Sequence, residues 1–284
     1  MNNYFLKKEK AIELINKIEN NLIKNKESIN KAFELDFKEW EIKFNLDKIF
    51  ELIASIKEKE YMPKITKQEV VSGIGKILLI TNQNPYLIFN FCLNAIYTNN
   101  CVEVVLEEKM LASNKVLLEV IKKSLKELNF DSDIVTYINM TKDNIVLKQD
   151  NYDLLYYFGN KNEYLEYCKR IHIDSEFENF GEMYVYVEDN IFQSILNEID
   201  KFAYMNEIKV NYFNNDLEKN IEQINQSNNI NKISVIFTKN IDNAYKFIKY
   251  IKSENVFINI NPIEYFKYEI DTNKMILKKK IFIK

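Results

Sequence analysis

From residue 63 onward, short apolar runs alternate with helical stretches, and this alternation restricts the fold more than any other feature of the sequence. The runs that predict strands are Ile77–Ile80, Val102–Leu106, Ile134–Ile138, Leu154–Phe158, Met183–Val187, Ile233–Phe237 and Val256–Ile260. Helices are predicted between several of them, at 86–98, 112–127, 161–170 and 242–252. Such alternation is typical of a parallel sheet covered by helices, so the sequence predicts an α/β fold.

The two ends of the chain follow other patterns. Up to about residue 60, apolar residues recur at helical spacing, which predicts two or three helices with charged outer faces. Met62-Pro63 ends this segment, because the residue before a proline disfavours the helical conformation. The stretch 265–284 predicts a β-hairpin that turns at 271–273 and that could extend the sheet of a neighbouring chain.

Composition excludes several classes of function. The 42 acidic and 39 basic residues give a net charge of −3, which favours neither nucleic acid nor an anionic membrane as a partner. The single histidine argues against a multi-histidine metal site, so no metal is predicted. No apolar run approaches the ~18 residues of a membrane span. The first residues are too charged for a signal peptide, and the three cysteines form no CxxC pair, which together predict a cytoplasmic protein.

The segment GKILLITNQNPYL, residues 75–87, is the strongest candidate for a binding site. A buried strand is predicted to run into a polar turn, formed by Thr81, Asn82, Gln83 and Asn84, and Pro85 then opens a helix. Open α/β sheets bind ligands at the carboxyl ends of their strands, where helix N-termini converge. We therefore expect this turn to contact a ligand.

Two further pairs of residues are candidate cofactor contacts. Glu107 and Glu108 follow the second predicted strand, where an acidic side chain could bind ribose hydroxyls and would repel a 2′-phosphate, so NAD is favoured over NADP. The alternative is that these two exposed acids only end a strand. Asn160 and Lys161 could meet a pyrophosphate at a helix N-terminus, or could form an ordinary solvated cap.

The order of these segments resembles the aldehyde dehydrogenase superfamily, and most closely its CoA-acylating, or acyl-CoA reductase, branch. The resemblance covers roughly residues 5–284 and is carried by TNQNP, AIYTNNCVEVVLEEKMLAS, DLLYYFGNKNE, FENFGEMYVYVED, KISVIFTKNIDNAYKFIKYIKSENVFININ and LKKKIFIK. It implies a Rossmann-type nucleotide domain with a helical N-terminal segment and a C-terminal β-hairpin. The implied domains are 1–62 (helical), 63–189 (nucleotide-binding), 190–232 (a reduced remnant of the catalytic domain) and 233–284 (return strands, helix and oligomerisation hairpin).

The resemblance also implies roles for individual residues. Asn84 matches the amide that holds the thioester or aldehyde oxygen, and Gly159 and Gly181 match glycines of the nucleotide-binding loops. Glu178 can be placed on the general base of the hydrolytic branch, although the CoA-acylating branch has no acid there and a plain loop glutamate is the alternative. The implied cofactors are NAD and CoA, and the implied small-molecule partner is an aldehyde or an acyl-CoA.

One departure separates this sequence from the family. Between Val187 and Ile233 the family inserts a catalytic domain around a nucleophilic cysteine, but here this interval contains no cysteine. Without a thiolate, the covalent thiohemiacetal chemistry has no nucleophile. Two hypotheses follow. The chain is a catalytically impaired oxidoreductase-family protein that still binds NAD or acyl-CoA, or it is a non-catalytic pseudoenzyme that forms an oligomer with itself or with a full-length homologue.

Overall fold

A computed structural model describes residues 8–58, 69–81, 84–106, 111–139, 149–178, 182–191, 193–195, 207–213, 216–226, 231–262 and 270–280. Its helices are α1 (Lys8–Lys24), α2 (Lys26–Asp36), α3 (Glu39–Glu58), α4 (Pro85–Tyr97), α5 (Leu111–Glu127), α6 (Lys161–Cys168), α7 (Leu217–Asn225) and α8 (Ile241–Tyr250). Its strands are β1 (Glu69–Gly73), β2 (Lys76–Thr81), β3 (Cys101–Val105), β4 (Val135–Ile138), β5 (Leu154–Phe158), β6 (Ser175–Glu178), β7 (Glu182–Glu188), β8 (Glu207–Phe213), β9 (Asn231–Phe237), β10 (Ser253–Ile258) and β11 (Ile276–Lys280).

The chain divides into two units, and the N-terminal helices belong to the first, which comprises Met1–Glu178 and Glu269–Lys284. The apolar stripes that predicted these helices are buried, for example Ile18 on α1 and Ile49 and Ile53 on α3. A buried hydrogen bond of 2.9 Å from the Asn21 amide to the Ser124 hydroxyl joins α1 to α5. The predicted helical segment is therefore present and packs onto the α/β part of its unit.

Five parallel strands form the sheet of the first unit, in the order β4-β3-β2-β5-β6. From β2 the chain proceeds through β3 to β4 on one side, and then crosses over to β5 and β6 on the other. Successive side chains of β5 point to opposite faces of the sheet. Tyr156 packs edge-to-face against Phe91 of α4, whereas Tyr157 packs on Tyr167 of α6. Helices therefore cover both faces, and the strand order reverses between β2 and β5, which confirms the α/β prediction.

The second unit, Asn179–Tyr268, has a separate parallel sheet in the order β10-β9-β7-β8. This grouping differs from the predicted domains, which placed β7 in the nucleotide domain and returned β9 and β10 to it. Here β7 pairs with β8 and β9 instead. The reason is physical: a buried apolar strand has the same sequence pattern in any parallel sheet, so the pattern does not identify its neighbours.

The C-terminal segment forms part of an antiparallel ribbon. Strand β11 pairs with β1 of the same chain, with Gly73 opposite Ile276 and Glu69 opposite Lys280. The other arm of the predicted hairpin, 263–269, lies outside the described residues. Among the helices that the structure describes, none combines the length and the apolar character needed to cross a membrane.

Candidate functional site

The carboxyl ends of β2, β5 and β6 are level with one another. Thr81 pairs with Phe158, and Phe158 pairs with Glu178, so the three residues form one row across the sheet. The predicted site residues Thr81, Glu178 and Gly159 therefore lie along the same edge. The point where the strand order reverses, between β2 and β5, falls within this row, and it is the usual ligand position in doubly wound sheets.

Asn84 begins α4 as its N-cap. Its side-chain oxygen accepts a hydrogen bond from the Leu87 N–H at 3.1 Å, and Pro85 occupies the first helical position. This is the local reason why the helix starts here, since both residue types are favoured at these positions. The first turn of α4 contains no acidic residue. The positive end of the helix dipole is thus not neutralised by a carboxylate from its own first turn, which favours an anionic group nearby.

Gly159 follows β5 in a conformation that suits glycine, with φ of +156°. A Cβ atom at this position would lie 3.2 Å from the Tyr157 ring, and the Gly159 N–H donates to the Glu178 carbonyl oxygen at 3.0 Å. A side chain at this position would therefore crowd the Tyr157 ring, and glycine avoids that contact at the end of β5.

The N-terminus of α6 is occupied by its own side chains. The Asn160 side-chain oxygen accepts from the N–H groups of Asn162 and Glu163, at 2.8 and 3.4 Å. The Glu163 carboxylate lies in the same turn and accepts a hydrogen bond of 2.6 Å from the Tyr157 hydroxyl. Lys161 is exposed. A carboxylate in this turn disfavours a phosphate, so the geometry supports the solvated-cap alternative for Asn160 better than the pyrophosphate alternative.

Glu178 forms an ion pair with Lys274, a residue that the sequence analysis did not single out. The Lys274 ammonium lies 3.0 Å from Glu178 and 3.6 Å from Glu176. Partial burial lowers the pKa of Lys274, but the hydrogen bond and charge of Glu178, with the charge of Glu176, outweigh it and raise the pKa overall. No sequence signal could have identified this pair, because its members are 96 residues apart.

The Tyr156 hydroxyl is a second feature that the sequence did not reveal. It is fully buried and has no hydrogen-bond partner among the described residues. Burial, and then the nearby carboxylate of Glu178, raise the pKa of this hydroxyl. The Glu178 carboxylate is close enough to raise the pKa of the phenol, but it is paired with Lys274 and makes no hydrogen bond of normal length and angle with the Tyr156 hydroxyl.

The remaining predicted site residues, Asn82, Gln83, Glu107, Glu108 and Gly181, lie outside the described residues. Their roles remain predictions. In the part of the chain that is described, no three His, Cys, Asp or Glu side chains are grouped so that they could hold a metal ion.

The three cysteines of the chain all lie away from the carboxyl edge. Cys92 is buried within α4, and burial raises the pKa of its thiol. Cys101 is the first residue of β3, and Cys168 ends α6 with its sulfur 3.6 Å from the hydroxyl of Ser175, the first residue of β6. The first residues of parallel strands lie at the opposite, amino edge of the sheet. No thiol is therefore placed beside Asn84.

Comparisons with known proteins give one kind of match. No protein-family model matches the sequence, and no curated protein matches it either. Among solved structures, gamma-glutamyl phosphate reductase from Thermotoga maritima is 15% identical, with a TM-score of 0.55 over 92% of this chain and 84% of that chain. Glyceraldehyde-3-phosphate dehydrogenase GapN from Methanocaldococcus jannaschii, complexed with NADP, is 12% identical, with a TM-score of 0.66 over 97% of this chain and 90% of that chain.

A third match extends the range of these proteins. Aldehyde dehydrogenase 21 from Physcomitrella patens, in complex with the product succinate, is 11% identical, with a TM-score of 0.60 over 96% of this chain and 85% of that chain. At such identities the likeness concerns the fold. The chain has an aldehyde dehydrogenase-like fold, as the resemblance in its sequence implied.

Proposed function

We propose that this chain, an oxidoreductase-family protein by its aldehyde dehydrogenase-like fold, binds NAD at the carboxyl edge of its first sheet and lacks cysteine-dependent aldehyde chemistry. One observation carries the proposal. The strand order reverses between β2 and β5, where Thr81, Asn84 and Gly159 lie, whereas all three cysteines lie elsewhere.

The described residues suit a dinucleotide. The N-terminus of α4 has a neutral cap and no acid in its first turn, so it can face a phosphate. Gly159 carries no side chain at the end of β5, which allows a ligand to approach its backbone closely. Glu107 and Glu108, as predicted from the sequence, would bind ribose hydroxyls and favour NAD over NADP. When bound, NAD would supply a hydride acceptor or, once reduced, a hydride donor.

Because no thiol lies beside Asn84, the proposed site does not carry out covalent aldehyde oxidation. Covalent aldehyde oxidation requires a thiolate beside the amide that stabilises the oxyanion. In this chain Asn84 instead caps α4, and Glu178 is held by Lys274. An acyl-CoA remains the alternative ligand for the same edge, and an aldehyde or acyl-CoA would bind without covalent turnover.

A second candidate function is that of a non-catalytic partner of a full-length homologue. The ion pair between Glu178 and Lys274 favours it, since it ties the one candidate base to the C-terminal segment that carries β11. In this case the carboxyl edge would have a structural role only.

Isothermal titration calorimetry of the full chain with NAD, NADP and a short-chain acyl-CoA tests the proposal. We expect NAD to bind with a micromolar dissociation constant, on the order of −8 kcal/mol, and NADP to bind more weakly. Asn84→Asp keeps a good N-cap but adds a negative charge beside the proposed phosphate position, so NAD binding should weaken at least about tenfold.

Asn240→Asp is the matched control, because Asn240 caps α8 of the second unit in the same way, through the Asp242 N–H at 2.8 Å. Its NAD affinity should equal that of the unmodified protein. If a folded sample gives no heat with NAD, the proposal is wrong and the partner function is supported. If Asn84→Asp binds NAD unchanged, the site lies elsewhere.

A further inference from the structure

Helix α8 carries an exposed apolar stripe. Ile241, Tyr245 and Ile248 are 68%, 66% and 50% exposed, and they recur at the i, i+4, i+7 spacing of one helix face. At ~100° per residue the three side chains span an arc of about 60°. A different face of α8 packs onto the second unit, since Phe247 is fully buried against Tyr186 with ring centroids 4.8 Å apart.

The stripe is unusual for this chain. Among the described residues, one other exposed large apolar side chain, Tyr250, lies on α8 but on the side away from the stripe, and the rest are scattered over separate elements, at Ile23, Leu35, Phe50, Leu165, Ile260 and Leu277. Isolated exposed apolar residues are normal on a protein surface, whereas a contiguous stripe indicates an interaction site. α8 alone combines several of them on one face.

Two charged residues flank this stripe on the same side. Asp242 lies near the N-terminal end of α8 and Lys249 near its C-terminal end, and both are exposed. Because they are seven residues apart, they lie almost directly above one another along the helix. The structure gives the Asp242 carboxylate no ion pair among the described residues, and the Lys249 ammonium lies over the Tyr250 ring, 5.0 Å from its centroid.

We propose that α8 is a self-complementary docking surface, onto which the α8 of a second copy of this chain packs in antiparallel orientation about a twofold axis at Tyr245. A twofold axis perpendicular to both helices makes them antiparallel. It leaves the charged flanks of the two copies on the same side of the contact. Tyr245 then meets its own copy, and Ile241 meets Ile248 of the other chain. On the flank, Asp242 of each chain meets Lys249 of the other, which gives two symmetric ion pairs.

Charge is what selects a second copy with this orientation. A parallel pairing of two α8 helices, about a twofold axis along the helices, would put the charged flanks of the two copies on opposite sides of the contact, so that neither Asp242 nor Lys249 would meet an opposite charge. The antiparallel pairing matches opposite charges at both ends and is the isologous type of contact that closes into a dimer. This surface lies in the second unit and does not depend on whether the first unit binds NAD.

The size of the surface predicts a weak association. A ten-residue helix is about 15 Å long, so the buried area falls below that of a standard stable interface. We therefore expect a concentration-dependent dimer rather than a permanent one. Sedimentation velocity of the full chain, between about 1 and 200 µM, measures it.

Substitutions on the stripe provide the first test. Tyr245→Arg should raise the dissociation constant of the α8 contact at least about tenfold, because it places two cations on the axis. Leu35→Arg is the matched control, since Leu35 is 79% exposed on α2, and it should leave the constant unchanged. A protein that stays monomeric up to 200 µM would overturn the proposal, and so would an association that Tyr245→Arg leaves unaltered.

A charge swap tests the orientation. Asp242→Lys and Lys249→Asp should each weaken association, because each places like charges together at both ends of the contact. The double variant, with both substitutions, should restore the association to near its original strength. If the double variant associates no better than the single ones, with circular dichroism showing intact helices, the antiparallel register is wrong.

A short bismaleimide gives an independent measure of register. In a Cys101→Ser background, which removes the exposed native thiol, Tyr245→Cys should be cross-linked into a dimer. Leu35→Cys, treated in the same way, should stay monomeric. If Tyr245→Cys yields no more dimer than Leu35→Cys, the axis does not lie at Tyr245.

Discussion

Two tyrosines four residues apart have hydroxyl groups in opposite situations. The Tyr152 hydroxyl donates a short hydrogen bond to the Glu103 carboxylate, which Lys76 and Thr136 also contact. The Tyr156 hydroxyl is buried without a partner among the described residues. A buried polar group stabilises a fold only when it is paired, so the two phenols should respond differently to the same substitution.

Tyr156→Phe should leave the free energy of unfolding unchanged or raise it by up to about 1 kcal/mol, because it removes an unsatisfied hydroxyl. Tyr152→Phe should lower it by about 1–2 kcal/mol, because it removes a donor from a carboxylate. Urea unfolding at pH 7 measures both. A loss of stability in Tyr156→Phe would mean that its hydroxyl has a partner after all.

Two glycines provide a matched pair for testing whether the carboxyl edge of the first sheet binds NAD. Gly75, with φ of +134°, precedes β2 at the amino edge, and a Cβ there would clash with the Asp153 carboxylate oxygen. Gly75→Ala and Gly159→Ala should each cost about 1–3 kcal/mol of stability. Only Gly159→Ala should also weaken NAD binding in calorimetry. Equal NAD affinity in the two variants would remove Gly159 from the site.

At the scale of elements, the short 3-10 turn Thr272–Met275 connects the C-terminal segment to β6. Lys274 in this turn pairs with Glu176 and Glu178. Asn100 adds a second link, since its amide donates to the Met275 carbonyl oxygen at 2.9 Å. The turn is thus held by polar contacts to β6 and to the residue that precedes β3. Its ion pair leads to a prediction about the pH dependence of stability.

Lys274→Met should lower the free energy of unfolding by up to about 1 kcal/mol at neutral pH, since the pair is partly exposed and screened. The pKa of Lys274 is raised in the folded state above its ordinary value of 10.5. The stabilisation is therefore complete below pH 10.5 and is lost as pH rises through the folded pKa. The difference between variant and parent should shrink above that pH in denaturant titrations.

Lys252→Met serves as the control for this effect, because Lys252 is exposed. Its stability should follow that of the unmodified protein at every pH. A difference for Lys274→Met that persists unchanged at strongly alkaline pH would show that lost packing, rather than the ion pair, is responsible.

At the scale of the whole molecule, each unit contains a parallel sheet in which the strand order reverses. The reversal lies between β2 and β5 in the first unit and between β7 and β9 in the second. None of the three thiols lies at either reversal point. Cys92 is in the middle of a buried helix, and Cys101 and Cys168 lie at the amino edge of the first sheet. This distribution predicts how thiol reagents will act.

Titration with a disulfide reagent should modify Cys101 in the folded protein, whereas Cys92 should react only after unfolding, because it is buried and burial raises its pKa. The double variant Cys101→Ser with Cys168→Ser should bind NAD as the parent does. An aldehyde oxidation activity that alkylation or this double variant abolishes would contradict a site without a catalytic thiol.

By itself, the sequence determined the α/β class, the helical N-terminal segment and the start of α4. These follow from local causes: apolar spacing sets helix or strand, and Asn84 caps a helix through an N–H only three residues away. Only the tertiary structure decided that β7, β9 and β10 share a second sheet. The same holds for the pairing of Glu178 with Lys274 and for the buried, unpaired Tyr156 hydroxyl. Strand order and contacts between distant residues depend on how whole elements pack together, and local periodicity does not contain that information.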